Sequence, residues 1–146
     1  MKLHWSPRSP FVRKVMIAAH ERGLVDRIVC VRTIAAMTKP HAELMADNPL
    51  SKIPTLVLDD GLVLYDSPVI CEYLDGIGGA PKLFPAEPAA RFEALRRQAL
   101  GDGFFLFDGG VDAIGLNTIT INGIVLDPFL DLATINKFRN LVIIVI

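Results

Sequence analysis

The chain has 146 residues and a formal net charge of −1. This length suits one domain, or one domain and part of another, and it can bury a core without disulfides or metal. The near-neutral charge argues against a nucleic-acid partner or an acidic membrane surface, because both require clustered positive charge.

The first third of the chain predicts a strand, a helix and a second strand. Residues 2–5 (KLHW) form a short strand, and a helix follows from about Pro10 to Arg22, with Gly23 placed to end it. Apolar residues at helical spacing define its buried face: Val12, Val15, Met16 and Ala19. The β-branched run 27–33 (RIVCVRT) is the second strand. A strand, helix and strand of this length predict a parallel pair.

The next segment predicts a short helix, a hairpin and a third helix. Pro40 is placed to open a helix within 34–47, and NPLSKIP (48–54) forms a loop. Residues 55–65 (TLVLDDGLVLY) predict a tight antiparallel hairpin with its turn at 59–61. The third helix begins after Ser67, and its predicted apolar face comprises Val69, Ile70, Tyr73 and Leu74.

Together these elements predict an α/β fold in the order βαβαββα, with a mixed four-stranded sheet and helices on both faces. This is the thioredoxin-like arrangement. We expect this domain at 1–80, a Gly/Pro-rich linker at 81–87 and a partial, atypical helical region at 88–146. The latter opens with an amphipathic helix (PAARFEALRRQAL) that starts an all-α domain, with Phe92, Leu95, Ala99 and Leu100 facing inward.

The sequence changes character after Gly101. Residues 102–110 are apolar and glycine-rich without a helical period, and β-branched runs around Asn122-Gly123 predict a hairpin. Residues 127–138 are compatible with one short helix.

The cysteines and the N-terminus indicate the compartment. Cys30 and Cys71 lie in unrelated apolar segments without C-x-x-C or metal-ligand spacing, which favours reduced core thiols and no metal site. The start MKLHWSP lacks the apolar run of a signal peptide, and no window reaches the roughly 18 apolar residues of a membrane span. We therefore expect a cytoplasmic protein without a membrane partner.

Three separated motifs resemble the N-terminal domain of the cytosolic glutathione transferases, in the bacterial variety with an active-site serine. They are SPRSPFVRKV (6–15), NPLSKIPTLVLDDG (48–61) and LYDSPVICEYL (64–74), and the resemblance covers residues 1–103. It implies a transferase that binds glutathione as co-substrate and conjugates its thiol to an electrophilic small molecule. It also implies a detoxifying homodimer.

By this resemblance Ser9 is the thiol-activating residue, because it occupies the position of the cysteine in the C-P-x-x motif of cysteine-type relatives. A helix N-terminus stabilises an anion, and a hydroxyl that donates to the sulfur favours the thiolate. Ser6 is the competing candidate, since other serine-type families use an earlier residue of this loop. Ser9 is also suited to a plain N-cap followed by Pro10, and both roles can coexist. Arg13 and Lys14, one turn later, are expected to face solvent.

The other two motifs supply the expected glutathione contacts. The resemblance implies a cis peptide bond at Ile53-Pro54 that presents main-chain groups to the cysteinyl part, whereas an ordinary trans proline on an edge strand is the alternative. It implies that Asp66 and Ser67 hold the γ-glutamyl end, although they also suit a helix cap. Most relatives have Glu where this chain has Asp66.

Three charged residues are further candidates for contacts with glutathione. Lys39 and Lys52 are candidates for the glycyl carboxylate, with solvated side chains as the alternative reading. Asp102 resembles an acid that reaches the glutathione of the partner subunit in some relatives.

The C-terminal region departs from this family. Residues 104–146 cannot supply the rest of a helical bundle and do not resemble one, so we expect a truncated or aberrant second domain. The alternative function is therefore a non-catalytic glutathione-binding or protein-interaction module. A thiol-disulfide oxidoreductase fits the fold but needs a cysteine at the start of the first helix, where this chain has Ser9.

Overall fold

The structure is a computed structural model that describes residues 1–35, 40–107, 119–121 and 124–126. The chain divides into two compact units, the first comprising Met1–Ala86 and the second beginning at Glu87. Each unit is described by itself.

Four strands of the first unit form one mixed sheet. They are β1 (Lys2–Trp5), β2 (Val29–Arg32), β3 (Thr55–Val57) and β4 (Val63–Tyr65), in the spatial order β2-β1-β3-β4. β1 pairs in parallel with β2 and antiparallel with β3, and β4 pairs antiparallel with β3. The predicted thioredoxin-like βαβαββα order is confirmed.

Helices cover both faces of this sheet. They are α1 (Pro10–Glu21), α2 (Ala42–Asp47) and α3 (Ser67–Ile77), and a single 3-10 turn occupies Val25–Arg27. α1 packs against α3, and the core beneath them is fully buried: Leu3, Val12, Val15, Ala18, Ala19, Leu56, Ile70, Cys71 and Leu74. Alternate residues of β1 and β3 point to the opposite face, where α2 lies.

Several predicted details of the first unit are wrong. Lys14 is 5% exposed rather than solvated, whereas Val69, assigned to the buried face of α3, is 49% exposed.

The predicted starts of two helices are also wrong. α3 begins at Ser67 rather than after it, because Asp66 is the N-cap. Pro40 precedes α2 instead of opening it, since His41 caps this helix by accepting from Leu44 N through Nδ1. Cys71 is a buried, reduced cysteine as expected, but Cys30 is exposed.

The second unit begins with a longer helix than predicted, α4 (Pro88–Phe107), which continues into the glycine-rich segment. Its expected inward face is wrong in part, because Phe92 is 70% exposed and Leu100 is 69% exposed. The predicted hairpin is confirmed by antiparallel pairing of β5 (Ile119–Ile121) with β6 (Ile124–Leu126). Asn122, Gly123 and the possible helix at 127–138 lie outside the described residues.

Candidate functional site

The sheet register brings three predicted site segments to one edge. Thr55 of β3 pairs with His4 of β1 on one side and with Tyr65 of β4 on the other. The residues next in line, Trp5, Pro54 and Asp66, therefore lie at the same end of three neighbouring strands. β1 and β4 run toward this end and lead into α1 and α3, so both helix N-termini open beside the Ile53-Pro54 step.

Ser9 is the N-cap of α1. Its backbone is extended (φ −82°, ψ 119°), and Oγ accepts a hydrogen bond from the main-chain nitrogen of Val12 at 3.2 Å. Pro10 occupies the first helical turn. Main-chain N–H groups there have no acceptor within the helix, so the missing N–H of proline costs no helical hydrogen bond. The predicted cap is confirmed, and it leaves the half-buried hydroxyl at the start of the helix.

Ser6 belongs to the turn that precedes this helix. Its Oγ accepts from the nitrogen of Arg8 at 3.4 Å, and its carbonyl accepts from the nitrogen of Ser9 at 3.3 Å. Arg13 stabilises the same turn, because its Nη2 donates a hydrogen bond to the Pro7 carbonyl at 3.3 Å. Ser6 thus shapes the turn, whereas only Ser9 lies at the helix N-terminus.

The Ile53-Pro54 peptide bond is cis, as predicted. Pro54 is buried and Ile53 is half-buried. Within the described ranges, no hydrogen bond engages the main-chain N–H or C=O of Ile53. This residue therefore offers one donor and one acceptor between the starts of α1 and α3.

Asp66 and Ser67 show two features typical of functional sites. Asp66 caps α3 through a 2.8 Å hydrogen bond from Ser67 N, but its backbone has φ 64° and ψ 138°, a conformation that residues other than glycine rarely adopt. Ser67 is 0% exposed, and its Oγ has no hydrogen-bond partner among the residues that the structure describes. An unsatisfied buried hydroxyl costs about 1–3 kcal/mol of stability. The fold of the free protein does not explain this cost, whereas a bound ligand that accepts a hydrogen bond from the hydroxyl would explain it.

The remaining predicted charges are more dispersed. Lys52 has an exposed side chain on the loop before Ile53, while Lys39 lies outside the described residues. Asp102 is half-buried on α4 in the second unit.

A buried polar cluster beneath α2 was missed by the sequence analysis. His4 Nε2 lies 2.8 Å from Asp47 Oδ2, and His4 Nδ1 lies 2.9 Å from Thr33 Oγ1. Lys2 Nζ donates to the same Asp47 oxygen at 2.7 Å. These hydrogen bonds, from Lys2 first and then from His4, lower the pKa of Asp47. His4 is a polar residue in an otherwise apolar strand. This was the one feature of the sequence that could have indicated its place in a buried hydrogen-bond cluster.

The described part of the chain shows neither a metal site nor a membrane span. No group of three or more His, Cys, Asp or Glu residues there is arranged to hold a metal ion. Among those same residues, no helix has the length and apolar character needed to cross a bilayer.

Residues 8–77 match the family model described as the glutathione S-transferase N-terminal domain. This match, over 70 of the 146 residues, shows that the first unit contains a glutathione S-transferase N-terminal domain. Among curated relatives, the "Uncharacterized GST-like protein YibF" of Escherichia coli is 33% identical over 78% of this chain and 54% of its own length. A "Stringent starvation protein A homolog" of Coxiella burnetii is 37% identical over 62% of this chain and 41% of its own length.

Solved structures of transferases show the same fold. A glutathione transferase family member from Pseudomonas fluorescens Pf-5 with bound glutathione has a TM-score of 0.68 and 45% identity, over 70% of this chain and 50% of that one. A glutathione S-transferase from Methylobacillus flagellatus, also with glutathione bound, has a TM-score of 0.64 and 35% identity, over 97% and 64% of the two chains. The chain spans about half the length of the curated relatives that it matches.

Proposed function

We propose that the first unit binds glutathione at the edge formed by Ser9, Ile53 and Ser67, and that it activates the thiol for conjugation to an electrophilic small molecule. The observation that carries this proposal is the fully buried hydroxyl of Ser67, which has no hydrogen-bond partner in the described part of the chain and lies beside the strained Asp66. Such a hydroxyl gains a partner when a ligand carboxylate occupies the start of α3. Two transferases that resemble this chain have glutathione bound, which supports the choice of ligand.

The γ-glutamyl end of glutathione carries both a carboxylate and an ammonium group. The carboxylate suits the start of α3, where main-chain N–H groups and the helix dipole favour negative charge and Ser67 can donate a hydrogen bond. The exposed carboxylate of Asp66 is adjacent and suits the ammonium. Asp66 uses one oxygen to cap Ser67 N, which leaves acceptor capacity for the ligand.

The cysteinyl part suits the Ile53 main chain. One N–H and one C=O can pair with a ligand peptide unit in the manner of an added strand, and the cis bond to Pro54 keeps this residue at the sheet edge. The thiol then lies toward the start of α1. There Ser9 donates its hydroxyl proton in a hydrogen bond to the sulfur and thereby stabilises the thiolate.

The reaction that follows is a nucleophilic attack. The thiol proton leaves to solvent, the thiolate forms a bond to an electrophilic carbon, and the displaced group departs or the electron pair moves onto the acceptor. Ser9 keeps its own proton throughout, because it acts as a hydrogen-bond donor. Lys52 or Lys39 is proposed to meet the glycyl carboxylate. The proposed setting is a cytoplasmic, detoxifying homodimer in which Asp102 approaches the partner's glutathione.

Calorimetric titration with glutathione, followed by conjugation assays with model electrophiles, tests this function. We expect saturable binding and Ser9-dependent conjugation. Binding without conjugation of any electrophile would favour the alternative, a non-catalytic glutathione-binding module. An absence of binding by folded protein would refute the proposal.

A further inference from the structure

Asn48 lies in the loop before Ile53, and its buried side-chain amide forms hydrogen bonds through both its nitrogen and its oxygen. It is 1% exposed, and Nδ2 donates to the Lys52 carbonyl at 3.1 Å and to Thr55 Oγ1 at 2.9 Å. Oδ1 accepts from Leu50 N at 3.0 Å, and the main-chain carbonyl accepts from Ser51 N at 2.9 Å. Both N–H groups and the oxygen of the side-chain amide therefore form hydrogen bonds within the segment 48–55.

Thr55 completes the arrangement from the other side. Its side chain is 0% exposed, and Oγ1 donates to the Lys52 carbonyl at 2.8 Å while it accepts from Asn48. The Lys52 carbonyl oxygen therefore receives two hydrogen bonds from buried side chains. The Lys52 side chain, in contrast, is exposed, so the fixed part of this residue is its main chain.

The Lys52 carbonyl and the Ile53 N–H belong to one peptide group. The cis bonds among the described residues are Ile53-Pro54 and Ala80-Pro81, so the Lys52-Ile53 bond is trans. In a trans peptide the C=O and N–H point in opposite directions. Because Asn48 and Thr55 hold the carbonyl toward the interior, the Ile53 N–H points away from it. Hydrogen bonds to a carbonyl also polarise the peptide and strengthen its N–H as a donor.

We propose that Asn48 and Thr55 are positioning residues that fix the plane of the Lys52-Ile53 peptide, so that the Ile53 N–H is held ready for a main-chain carbonyl of the bound thiol peptide. This inference rests on the proposed function and extends it from the groups that touch glutathione to the buried pair that orients one of them. It assigns neither residue any contact with the ligand.

A merely structural role for the pair predicts lost stability without selective loss of binding, so the test needs a matched control. Thr55→Val keeps shape and strand preference but removes the hydroxyl that donates to Lys52. Thr55→Ser restores that hydroxyl. Thr33→Val is the control, because Thr33 is equally buried and also loses a hydroxyl, yet its partners are His4 and the Val31 carbonyl rather than Lys52.

Glutathione affinity by calorimetry, unfolding in urea, and the NMR signals of the Lys52 carbonyl and the Ile53 amide are measured for all four proteins. We expect Thr55→Val to weaken binding about three- to tenfold, which corresponds to one lost hydrogen bond, and to shift both signals in the free protein. Thr55→Ser should restore both properties. Thr33→Val should lose comparable stability but bind glutathione as the wild type does.

Three results would overturn the inference: unchanged binding by Thr55→Val, an equal binding loss in Thr33→Val, or no recovery in Thr55→Ser. If the wild type does not bind glutathione at all, the proposed function fails. The Lys52 and Ile53 signals of the free variants then still decide separately whether Thr55 orients this peptide: an unchanged pair of signals contradicts the positioning role.

Discussion

Ser9 Oγ accepts a hydrogen bond from the main-chain nitrogen of Val12 at 3.2 Å. The hydroxyl uses a lone pair in this contact, so its own proton remains free to be donated. Capping the helix and donating to a ligand sulfur therefore use different parts of one group. The cap also fixes the hydroxyl at the helix N-terminus, where the dipole favours a thiolate.

Ser9→Ala is expected to impair both roles. Loss of the cap should lower the free energy of unfolding by about 1 kcal/mol. Loss of the hydrogen bond to the charged sulfur should reduce the thiolate fraction of bound glutathione about tenfold or more at neutral pH. The ultraviolet absorbance of the thiolate, titrated against pH, measures this. Ser6→Ala is the matched control, and a reversed pattern, with Ser6→Ala alone abolishing the thiolate, would show that Ser6 is the activating residue.

Ser67→Ala should separate stability from binding. The Ser67 hydroxyl is buried and has no hydrogen-bond partner within the described ranges, so its removal relieves an unsatisfied group. Alanine is also a good residue in the first turn of a helix. We expect the free protein to be at least as stable as the wild type, while glutathione affinity falls about tenfold. Urea unfolding and calorimetry provide the two values. A destabilised variant with unchanged affinity would mean that the hydroxyl serves the fold.

Asp47 should make stability depend on pH on the acid side. Its pKa is lowered in the folded state by hydrogen bonds from Lys2 and His4. A group of this kind stabilises the fold above its unfolded pKa of about 3.9, and that contribution is lost as the pH falls through the folded pKa. Asp47→Asn should therefore flatten the acid limb of a urea-unfolding series between about pH 6 and pH 2. Asp26→Asn, an exposed change on the 3-10 turn, is the control and should keep the wild-type slope.

Asp75 should be one of the most sensitive positions for stability. Its carboxylate accepts from the nitrogens of Leu83 at 2.7 Å and Phe84 at 3.2 Å, and Oδ1 lies 3.1 Å from Arg22 Nε. Arg22 and Asp75 are both buried, so Asp75→Ala leaves a buried guanidinium without its carboxylate partner and should cost about 3–5 kcal/mol. Glu93→Gln, which breaks exposed ion pairs with Arg96 and Arg97, is the comparison and should leave the urea midpoint nearly unchanged. Similar losses in both variants would contradict the role of burial.

The sequence predicted those structural features that depend on residues close together in the chain. Alternating strands, capping residues and proline positions led to the four-stranded sheet and the Ser9 cap, whereas the cis bond at Pro54 was predicted from the family resemblance alone. Which face a side chain occupies depends on packing with distant elements, and this is why the assignments of Lys14 and Val69 were wrong. The strained backbone of Asp66 and the amide network of Asn48 arise from tertiary contacts, which residue spacing does not reveal.

The helix directions have an electrostatic consequence for the whole first unit. α1 and α3 start at the same edge of the sheet, so their negative C-terminal ends lie together at the opposite side. There Lys82 Nζ donates to the carbonyls of Asp75 and Gly76, and Arg22 Nη2 donates to the Asp75 carbonyl at 3.2 Å. These cations neutralise the negative ends, whereas the opposite ends carry main-chain N–H groups together with the exposed Asp66 carboxylate that caps α3. The edge beside Ile53 therefore presents both signs of charge, and a small peptide that carries a carboxylate and an ammonium should be turned in one direction as it approaches, more weakly as salt is added.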